Sequence, residues 1–245
     1  MSAPATVVIP CAGRGTRLGL PFPKELLPAA SGVPAIDCTL DLVRACDSCV
    51  RVVLVTGSDR AATVDHVRSR LRYPVAVVGQ DPAADGLAGA VTSALPWCPG
   101  PTVVLLPDQV LTRPAPGLLD RALEALEWAP CCFLAASEHD PERIAVDGAL
   151  ATEVSDRGRR VRALADKPGR DAAGAYDAVW FGLGFVPARA PAVIEHMAAA
   201  VEHRLEEAAF RAGPLLGAPV IECPPFTDLG TWAAYTRHWK DAACN

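Results

Sequence analysis

Residues 7–28 of the 245-residue chain read VVIPCAGRGTRLGLPFPKELLP. The apolar residues at 7–9 predict the end of a buried β-strand, and Gly13 and Gly15 follow shortly after it. Glycines after a strand allow backbone N–H groups to point toward one centre, where they can bind anionic oxygens. Arg17 and Lys24 add positive charge, the arginine as a planar fork and the lysine as a point charge. We therefore interpret this stretch as a loop that binds a triphosphate.

Three other interpretations of this loop make different demands on its residues. A dinucleotide-binding fingerprint requires a third glycine or alanine where Leu18 stands, and the prolines at 21 and 23 oppose an immediate long helix. A P-loop requires serine or threonine after its lysine, but Glu25 follows Lys24. A surface turn with solvated arginines stays open as long as only the glycines are considered.

The segment GRGTRLGLPFPKELLP is similar to the signature of the sugar-1-phosphate nucleotidyltransferases, G-x-G-T-R-L followed by P-K-x-L-L-P. Enzymes of this family join a nucleoside triphosphate to a sugar phosphate and release pyrophosphate, and the resemblance recurs in order down most of the chain. It implies a set of nucleotide-binding residues in the loop, which comprises Ala12, Gly13, Arg14, Gly15, Thr16 and Arg17. Lys24 lies seven positions after Arg17. This spacing is shorter than in the thymidylyltransferases and resembles the related cytidylyltransferases, so the nucleobase stays open.

Strands and helices alternate through the first part of the chain. Continuous apolar segments predict strands at 50–55, 74–78, 102–106 and 131–135, and helical spacing of apolar residues predicts the helices between them. Strands that are apolar throughout indicate a mainly parallel, doubly wound Rossmann-like α/β sheet with helices on both faces. Ligands bind such sheets at the carboxyl ends of the strands.

The pattern changes after residue 140. A hairpin is predicted at 149–165, then a strand at 178–186, a long helix at 191–211 and a last helix from 231. We interpret residues 1–245 as a single nucleotidyltransferase domain. Its nucleotide-binding half covers 1–140, and a sugar-binding and metal-completing half with a small antiparallel portion covers 141–245.

Gln80 begins the segment QDPAADGLAGAV, which follows a predicted strand. A glutamine side chain offers both an acceptor and donors, which suits the edge of a nucleobase, and Gly86 would allow the backbone to approach the ring. The family resemblance places the base pocket here, and the G-L-A sequence is similar to the thymidylyl and uridylyl members. The alternative is a polar loop that caps a helix.

Two aspartates are candidates for a magnesium site. Asp108 follows the apolar strand in VVLLPDQV, where a carboxylate is either a helix cap or a metal ligand. Asp228 lies in PPFTDLGTW, which is similar to the family's D-x-G-T motif. We expect the two carboxylates to meet and to hold Mg²⁺ together with phosphate oxygens and waters. Pro107 departs from the family, which usually has glycine before the first aspartate.

The acceptor side is assigned from the resemblance of Asp166, Lys167 and Pro168 to the family's E-K-P. The resemblance implies that the acid accepts hydrogen bonds from sugar hydroxyls and that the lysine contacts the sugar's phosphate. Aspartate is shorter than glutamate, so the identity of the sugar stays open. Gly148 aligns with a glycine that contacts the sugar, although a simple turn glycine is an equal alternative. Gly182 is a further candidate for close approach of the sugar.

Composition limits the other classes of function. The net charge of −5 and the absence of a run of Lys or Arg argue against nucleic acid as a partner. No apolar run approaches the ~20 residues that a membrane helix needs, and no basic segment precedes the first strand as in a signal peptide. We expect a cytoplasmic protein without a membrane partner, and a homo-oligomer stays open. The nine cysteines include a C-x-x-C at 46–49 without a second pair, which indicates free thiols rather than zinc.

The expected reaction is in-line attack by the phosphate of a sugar 1-phosphate on the α-phosphorus of dTTP or UTP. The alternative is a cytidylyltransferase that uses CTP and a polyol phosphate or phosphonate. A phosphate monoester is already ionised near neutral pH, so catalysis rests on alignment and charge neutralisation. In this scheme Arg17 binds the leaving pyrophosphate, Lys24 the α-phosphate and Lys167 the incoming phosphate. A glycosyltransferase would usually need D-x-D, and no two aspartates here are two positions apart.

Overall fold

The computed structural model describes residues 3–13, 15–48 and 50–243. Arg14, predicted to contact the nucleotide, and Cys49 of the C-x-x-C pair lie outside these residues. No helix in the described part of the chain combines the length and apolar character needed to cross a bilayer.

Strands and helices alternate along most of the chain. In order they are β1 (Ala5–Cys11), α1 (Ile36–Arg44), β2 (Val50–Thr56), α2 (Ala61–Arg70), β3 (Val75–Gly79), α3 (Gly86–Ala94), β4 (Thr102–Leu105), β5 (Gln109–Leu111), α4 (Leu118–Ala125), β6 (Cys131–Ser137), α5 (Pro141–Ile144), β7 (Gly148–Ser155), β8 (Gly158–Asp166), α6 (Arg170–Ala173), β9 (Ala178–Phe185), α7 (Ala190–Val201), α8 (Glu207–Ala212), β10 (Val220–Glu222), β11 (Phe226–Asp228) and α9 (Trp232–Ala243).

The main sheet has the strand order β10-β6-β9-β4-β1-β2-β3. β4, β1, β2 and β3 are parallel neighbours, and β10 is parallel to β6. β9 runs antiparallel between β4 and β6. The parallel strands are rich in Val, Ile and Leu because helices cover both of their faces. The predicted α/β class with a mainly parallel sheet is confirmed.

Two apolar layers lie on opposite faces of the sheet. One layer joins α1, α2 and α4 to the strands through residues such as Leu40, Leu54 and Leu119. The other joins α3 and α7 to the strands and includes Val104 and Phe133. Burial of these side chains from water is the main favourable term that holds helices against the sheet.

The second half of the chain adds strands to this same sheet. β7 and β8 form the predicted hairpin, in which Ser155 is opposite Gly158 at the turn. β7 then pairs with β9, with Ala149 opposite Val179. Because β9 lies between β4 and β6, the second half contributes a strand to the centre of the sheet.

The predicted single helix over 191–211 is wrong, because α7 and α8 are separate helices. His203 lies between them with φ +55°, in the left-handed region. Its N–H donates to the Ala200 carbonyl at 3.0 Å, and the Arg204 N–H donates to the Ala199 carbonyl at 2.8 Å. This pair of hydrogen bonds is the Schellman ending of a helix. Glycine usually occupies the left-handed position, so the sequence carried no signal for the break.

A small antiparallel sheet of β5 and β11 was not predicted. Gln109 is opposite Asp228, and Leu111 is opposite Phe226. The Leu229 N–H also donates to the Asp108 carbonyl at 2.9 Å. This sheet brings the segment after β4 next to the segment before α9.

Candidate functional site

The structure brings the carboxylates of Asp108 and Asp228 together beside the β5–β11 pair. Both carboxylates lie next to Gly230. A Cβ atom added to this glycine would be 2.7 Å from Asp228 Oδ1 and 3.8 Å from Asp108 Oδ2, so the two carboxylates are close to each other. The Gly230 N–H donates to Asp228 Oδ1 at 2.6 Å. The two acids, 120 positions apart in sequence, therefore border one small space that only a glycine leaves open.

The electrostatics of this pair favour a cation. Burial, followed by the negative charge of Asp108, raises the pKa of Asp228 to about 6. The Lys24 ammonium donates to Asp108 Oδ2 at 2.5 Å. Burial lowers the pKa of Lys24, but the adjacent Asp108 more than offsets this, so the pKa of Lys24 is raised overall. The ammonium thus neutralises one carboxylate and leaves the other with an unfavourable negative charge.

Two carboxylates that face one space are suitable for Mg²⁺, which prefers oxygen ligands and usually keeps several waters. Within the described ranges, no group of three or more His, Cys, Asp and Glu side chains is arranged to hold a metal. A magnesium ion at Asp108 and Asp228 would therefore take its remaining ligands from phosphate oxygens and water. The residues fit the ion in this sense, and the metal site stays a prediction.

The loop after β1, which is predicted to bind phosphate, is held by Arg60, a residue that sequence reasoning missed. Its Nε donates to the Cys11 carbonyl at 2.9 Å, and its Nη2 donates to the Gly13 carbonyl at 2.5 Å. Its Nε also lies 3.7 Å from Glu25 Oε1, which accepts a hydrogen bond from Thr63 Oγ1 at 2.8 Å. Glu25 is only 1% exposed, and burial raises its pKa. Arg60 therefore links the start of the loop to the residue that follows Lys24.

The rest of the loop packs against Lys24 and α9. Gly15 has φ +64°, and a Cβ added there would lie 3.5 Å from the Lys24 Cβ. The Trp232 indole N–H donates to the Leu18 carbonyl at 2.9 Å. The side chain of Arg17 is exposed. The other predicted loop contacts to the nucleotide, Ala12, Gly13 and Thr16, lie on the same segment.

Gln80 uses its amide group on its own loop. The side-chain nitrogen donates to the Ala84 carbonyl at 2.6 Å and to the Gly86 carbonyl at 3.2 Å. Gly86 has φ +73° and is the first residue of α3. The amide oxygen is the part of the side chain that this arrangement leaves for a nucleobase. Base recognition by Gln80 and Gly86 stays a prediction, and the loop-holding role is observed.

The predicted acceptor residues lie together at the end of the β7–β8 hairpin. Lys167 Nζ donates to Asp166 Oδ2 at 3.2 Å, and the Lys167 N–H donates to the Asp147 carbonyl at 3.0 Å. Gly148 is opposite Asp166 in the hairpin register. A Cβ at Gly148 would overlap the indole nitrogen of Trp180. Position 148 must therefore be glycine because the Trp180 indole occupies the space of a side chain. The predicted contacts of Gly148, Asp166 and Lys167 with a sugar phosphate stay predictions.

Asp147 connects this acceptor region electrostatically to the carboxylate pair. Burial raises the pKa of Asp147, while the charges of Arg143 and Lys167 oppose the shift. Asp147 in turn contributes to the raised pKa of Asp228. The Arg143 guanidinium also donates to the Phe226 carbonyl, which ties α5 to β11. Sequence reasoning missed both Asp147 and Arg143 as parts of the site.

Gly182 lies inside the sheet, in β9. A Cβ there would be 3.0 Å from both the Leu105 side chain and the Val104 carbonyl. Close packing between β9 and β4 accounts for this glycine. Its position inside the sheet does not support the predicted contact with a sugar, which stays a prediction.

Comparisons of the sequence identify relatives among nucleotidyltransferases. The family described as "MobA-like NTP transferase domain" matches residues 7–220. A 2-C-methyl-D-erythritol 4-phosphate cytidylyltransferase of Cereibacter sphaeroides is 35% identical over 125 residues, which cover 50% of this chain and 54% of the relative. The enzyme of the same name from Stenotrophomonas maltophilia is 34% identical over 168 residues, which cover 67% and 71%. The match to the first relative thus spans about half of its length.

Solved structures support the fold. A UDP-glucose pyrophosphorylase complexed with UDP-glucose aligns with a TM-score of 0.77 at 17% identity and covers 99% of both chains. A putative glucose-1-phosphate thymidylyltransferase from Bacillus anthracis aligns with a TM-score of 0.72 at 18% identity, covering 97% of this chain and 95% of that one. The resemblance to nucleotidyltransferases and the Rossmann-like fold are both confirmed.

Proposed function

Because the chain belongs to the MobA-like NTP transferase family, we propose that it transfers a nucleoside monophosphate from a nucleoside triphosphate to a sugar or polyol phosphate and releases pyrophosphate. The observation that carries this proposal is the convergence of Asp108, Asp228 and Lys24 next to a glycine loop that follows the first strand. An acidic pair beside a cationic loop is the arrangement that phosphoryl transfer between two anions needs.

In the proposed mechanism, the chain aligns the two anionic substrates. Arg17, exposed on the loop, would bind the leaving pyrophosphate, and Lys24 would transfer its ammonium contact from Asp108 to the α-phosphate. Lys167 would orient the incoming phosphate. When bound, Mg²⁺ would supply neutralisation of phosphate charge, and Asp108 and Asp228 are the residues that would hold it. No general base is required, since the attacking phosphate is already ionised.

The choice of substrates has two versions. A sugar 1-phosphate with dTTP or UTP is favoured by the G-L-A sequence at 86–88. A polyol phosphate with CTP is favoured by the short spacing between Arg17 and Lys24 and by the cytidylyltransferase relatives, which are 34–35% identical. Both versions use the same site and release pyrophosphate, but they form different nucleotide products.

Pyrophosphate release by the purified protein tests the proposal and separates the two versions. Each of dTTP, UTP, CTP, ATP and GTP is supplied with a hexose 1-phosphate or with a tetritol or pentitol phosphate, in the presence of Mg²⁺. One nucleotide should be used at least tenfold faster than the others with one acceptor class. Asp228→Asn should abolish that release, whereas Asp156→Asn at the exposed hairpin turn should retain it. Absence of pyrophosphate with every pair would refute the proposal.

A further inference from the structure

An apolar cavity of about 110 Å³ lies between α3, α7 and the sheet. Most of its lining is made of hydrophobic side chains, chief among them Leu87, Val91, Trp180, Leu183, Ile194 and Met197. Two charged residues, Asp85 and Glu202, also line it, and both are exposed. The mouth of the cavity is therefore acidic and its interior is apolar.

This cavity adjoins the predicted acceptor region. Trp180 is the shared residue, because it lines the cavity and its indole nitrogen also fills the place of a side chain at Gly148. Gly148 is opposite Asp166 in the hairpin. The cavity is also lined by Gly86 at the start of α3, next to the loop that Gln80 holds. The cavity thus borders both Trp180, which packs on the residue opposite Asp166, and the start of the candidate nucleobase loop.

The lining limits the chemistry of what the cavity can receive. It contains no cation, and Asp85 and Glu202 would repel a phosphate at the mouth. A nucleobase placed inside would lose the hydrogen bonds of its polar edges, because hydrophobic side chains offer no replacement. Water is also poorly held where polar partners are few. An uncharged alkyl group is the ligand that loses least on entry.

We propose that this cavity receives an apolar substituent of the acceptor, such as a C-methyl group or a deoxy carbon. The inference rests on the proposed function, since it concerns the acceptor of that reaction. It makes the substrate a sugar or polyol phosphate with at least one hydroxyl-free carbon, and it makes α7 a determinant of acceptor specificity.

Binding of matched acceptor pairs tests this specificity without turnover. The probes are a 6-deoxyhexose 1-phosphate with its 6-hydroxyl parent, and a C-methyl tetritol phosphate with its unmethylated parent. Their dissociation constants are measured by calorimetry in the presence of Mg²⁺ and a non-hydrolysable nucleotide. The less polar member of at least one pair should bind at least tenfold more tightly, the discrimination expected when one carbon enters an apolar pocket.

Variants on α7 and α3 locate the source of the preference. Ala198→Leu fills the cavity and should reduce the preference to less than threefold. Ala199→Leu lies one position further on the same helix, outside the cavity lining, and should retain it. Leu87→Gln places an amide in the opposite wall and should reproduce the loss, which covers the case that Ala198→Leu fails to fold.

Several results would overturn the inference. These are a preference for the hydroxylated parents, equal binding of both members in each pair, no binding of any probe, or a preference unchanged in both cavity variants. Failure of the proposed function looks different, because pyrophosphate release would then be absent with every nucleotide and acceptor. Release that is equally fast with both members of each pair would leave the function standing and reject the cavity as an acceptor subsite.

Discussion

Asp228→Asn should make the metal-free protein more stable at neutral pH. The substitution removes the negative charge and retains an oxygen that accepts the hydrogen bond from the Gly230 N–H. In the wild type, burial and the charge of Asp108 raise the pKa of Asp228 from 3.8 to about 6. The folded protein therefore holds this proton more tightly than the unfolded chain does.

The sign and size of the effect follow from this difference in pKa. The stability linked to the proton is complete below pH 3.8 and is lost as pH rises through about 6. Across that interval the free energy of unfolding falls by about 3 kcal/mol. The asparagine does not titrate, so the variant should exceed the wild type by up to about 3 kcal/mol at pH 7.5 and by only about 1 kcal/mol at pH 4.5.

Urea unfolding in EDTA, followed by tryptophan fluorescence at pH 4.5, 6 and 7.5, measures this difference. The exposed Asp156→Asn at the turn of the hairpin is the matched control and should follow the wild type at each pH. Added Mg²⁺ should stabilise the wild type and leave Asp228→Asn unchanged, because the variant lacks one ligand charge. Equal stabilities of Asp228→Asn and wild type at pH 7.5, or a gain that is the same at pH 4.5, would refute a repulsive carboxylate pair.

Three further substitutions test other parts of the site. Arg17→Ala should lower the turnover number by roughly 10²–10³-fold. The free energy of unfolding in urea should stay unchanged, because the Arg17 side chain is exposed. A decrease in turnover of less than about fivefold argues against a contact between Arg17 and pyrophosphate. Arg60→Met should raise the KM for the nucleotide and cost about 1–3 kcal/mol in urea unfolding, since it leaves a buried glutamate without its cation. Arg68→Met is its control, because Arg68 is an exposed cation on α2, the helix that begins directly after Arg60, and equal KM values for the two variants contradict the loop-holding role. Gly148→Ala should reduce stability by about 1–3 kcal/mol through overlap with Trp180, and an unchanged melting temperature would show that the indole can move aside.

Much of the fold followed from local patterns. The strands at 50–56 and 131–137 are apolar except for Arg51, Thr56 and Ser137 near their ends, so their type and the need for helices on both faces could be predicted. The break between α7 and α8 could not, because His203 adopts a left-handed conformation that glycine usually signals. β5 and β11 are each three residues long, too short for periodicity to reveal.

The candidate site divides in the same way. The family signature located Arg17, Lys24, Asp108 and Asp228 as chemistry-bearing residues, because glycines, cations and acids stand at recognisable spacings. It carried no information on Arg60, whose role depends on the reach of one side chain to two carbonyls of the loop.

The sequence by itself determined the alternation of strands and helices and the residue types available for phosphate chemistry, since both are expressed within a few neighbouring positions. The family resemblance led us to expect that Asp108 and Asp228 meet, but only the tertiary structure shows how they do so and that Lys24 shares their space. The physical reason is that their meeting depends on the pairing of β5 with β11 and on the close approach permitted by Gly230. Contacts between segments so distant along the chain are set by the packing of the whole fold rather than by local propensity.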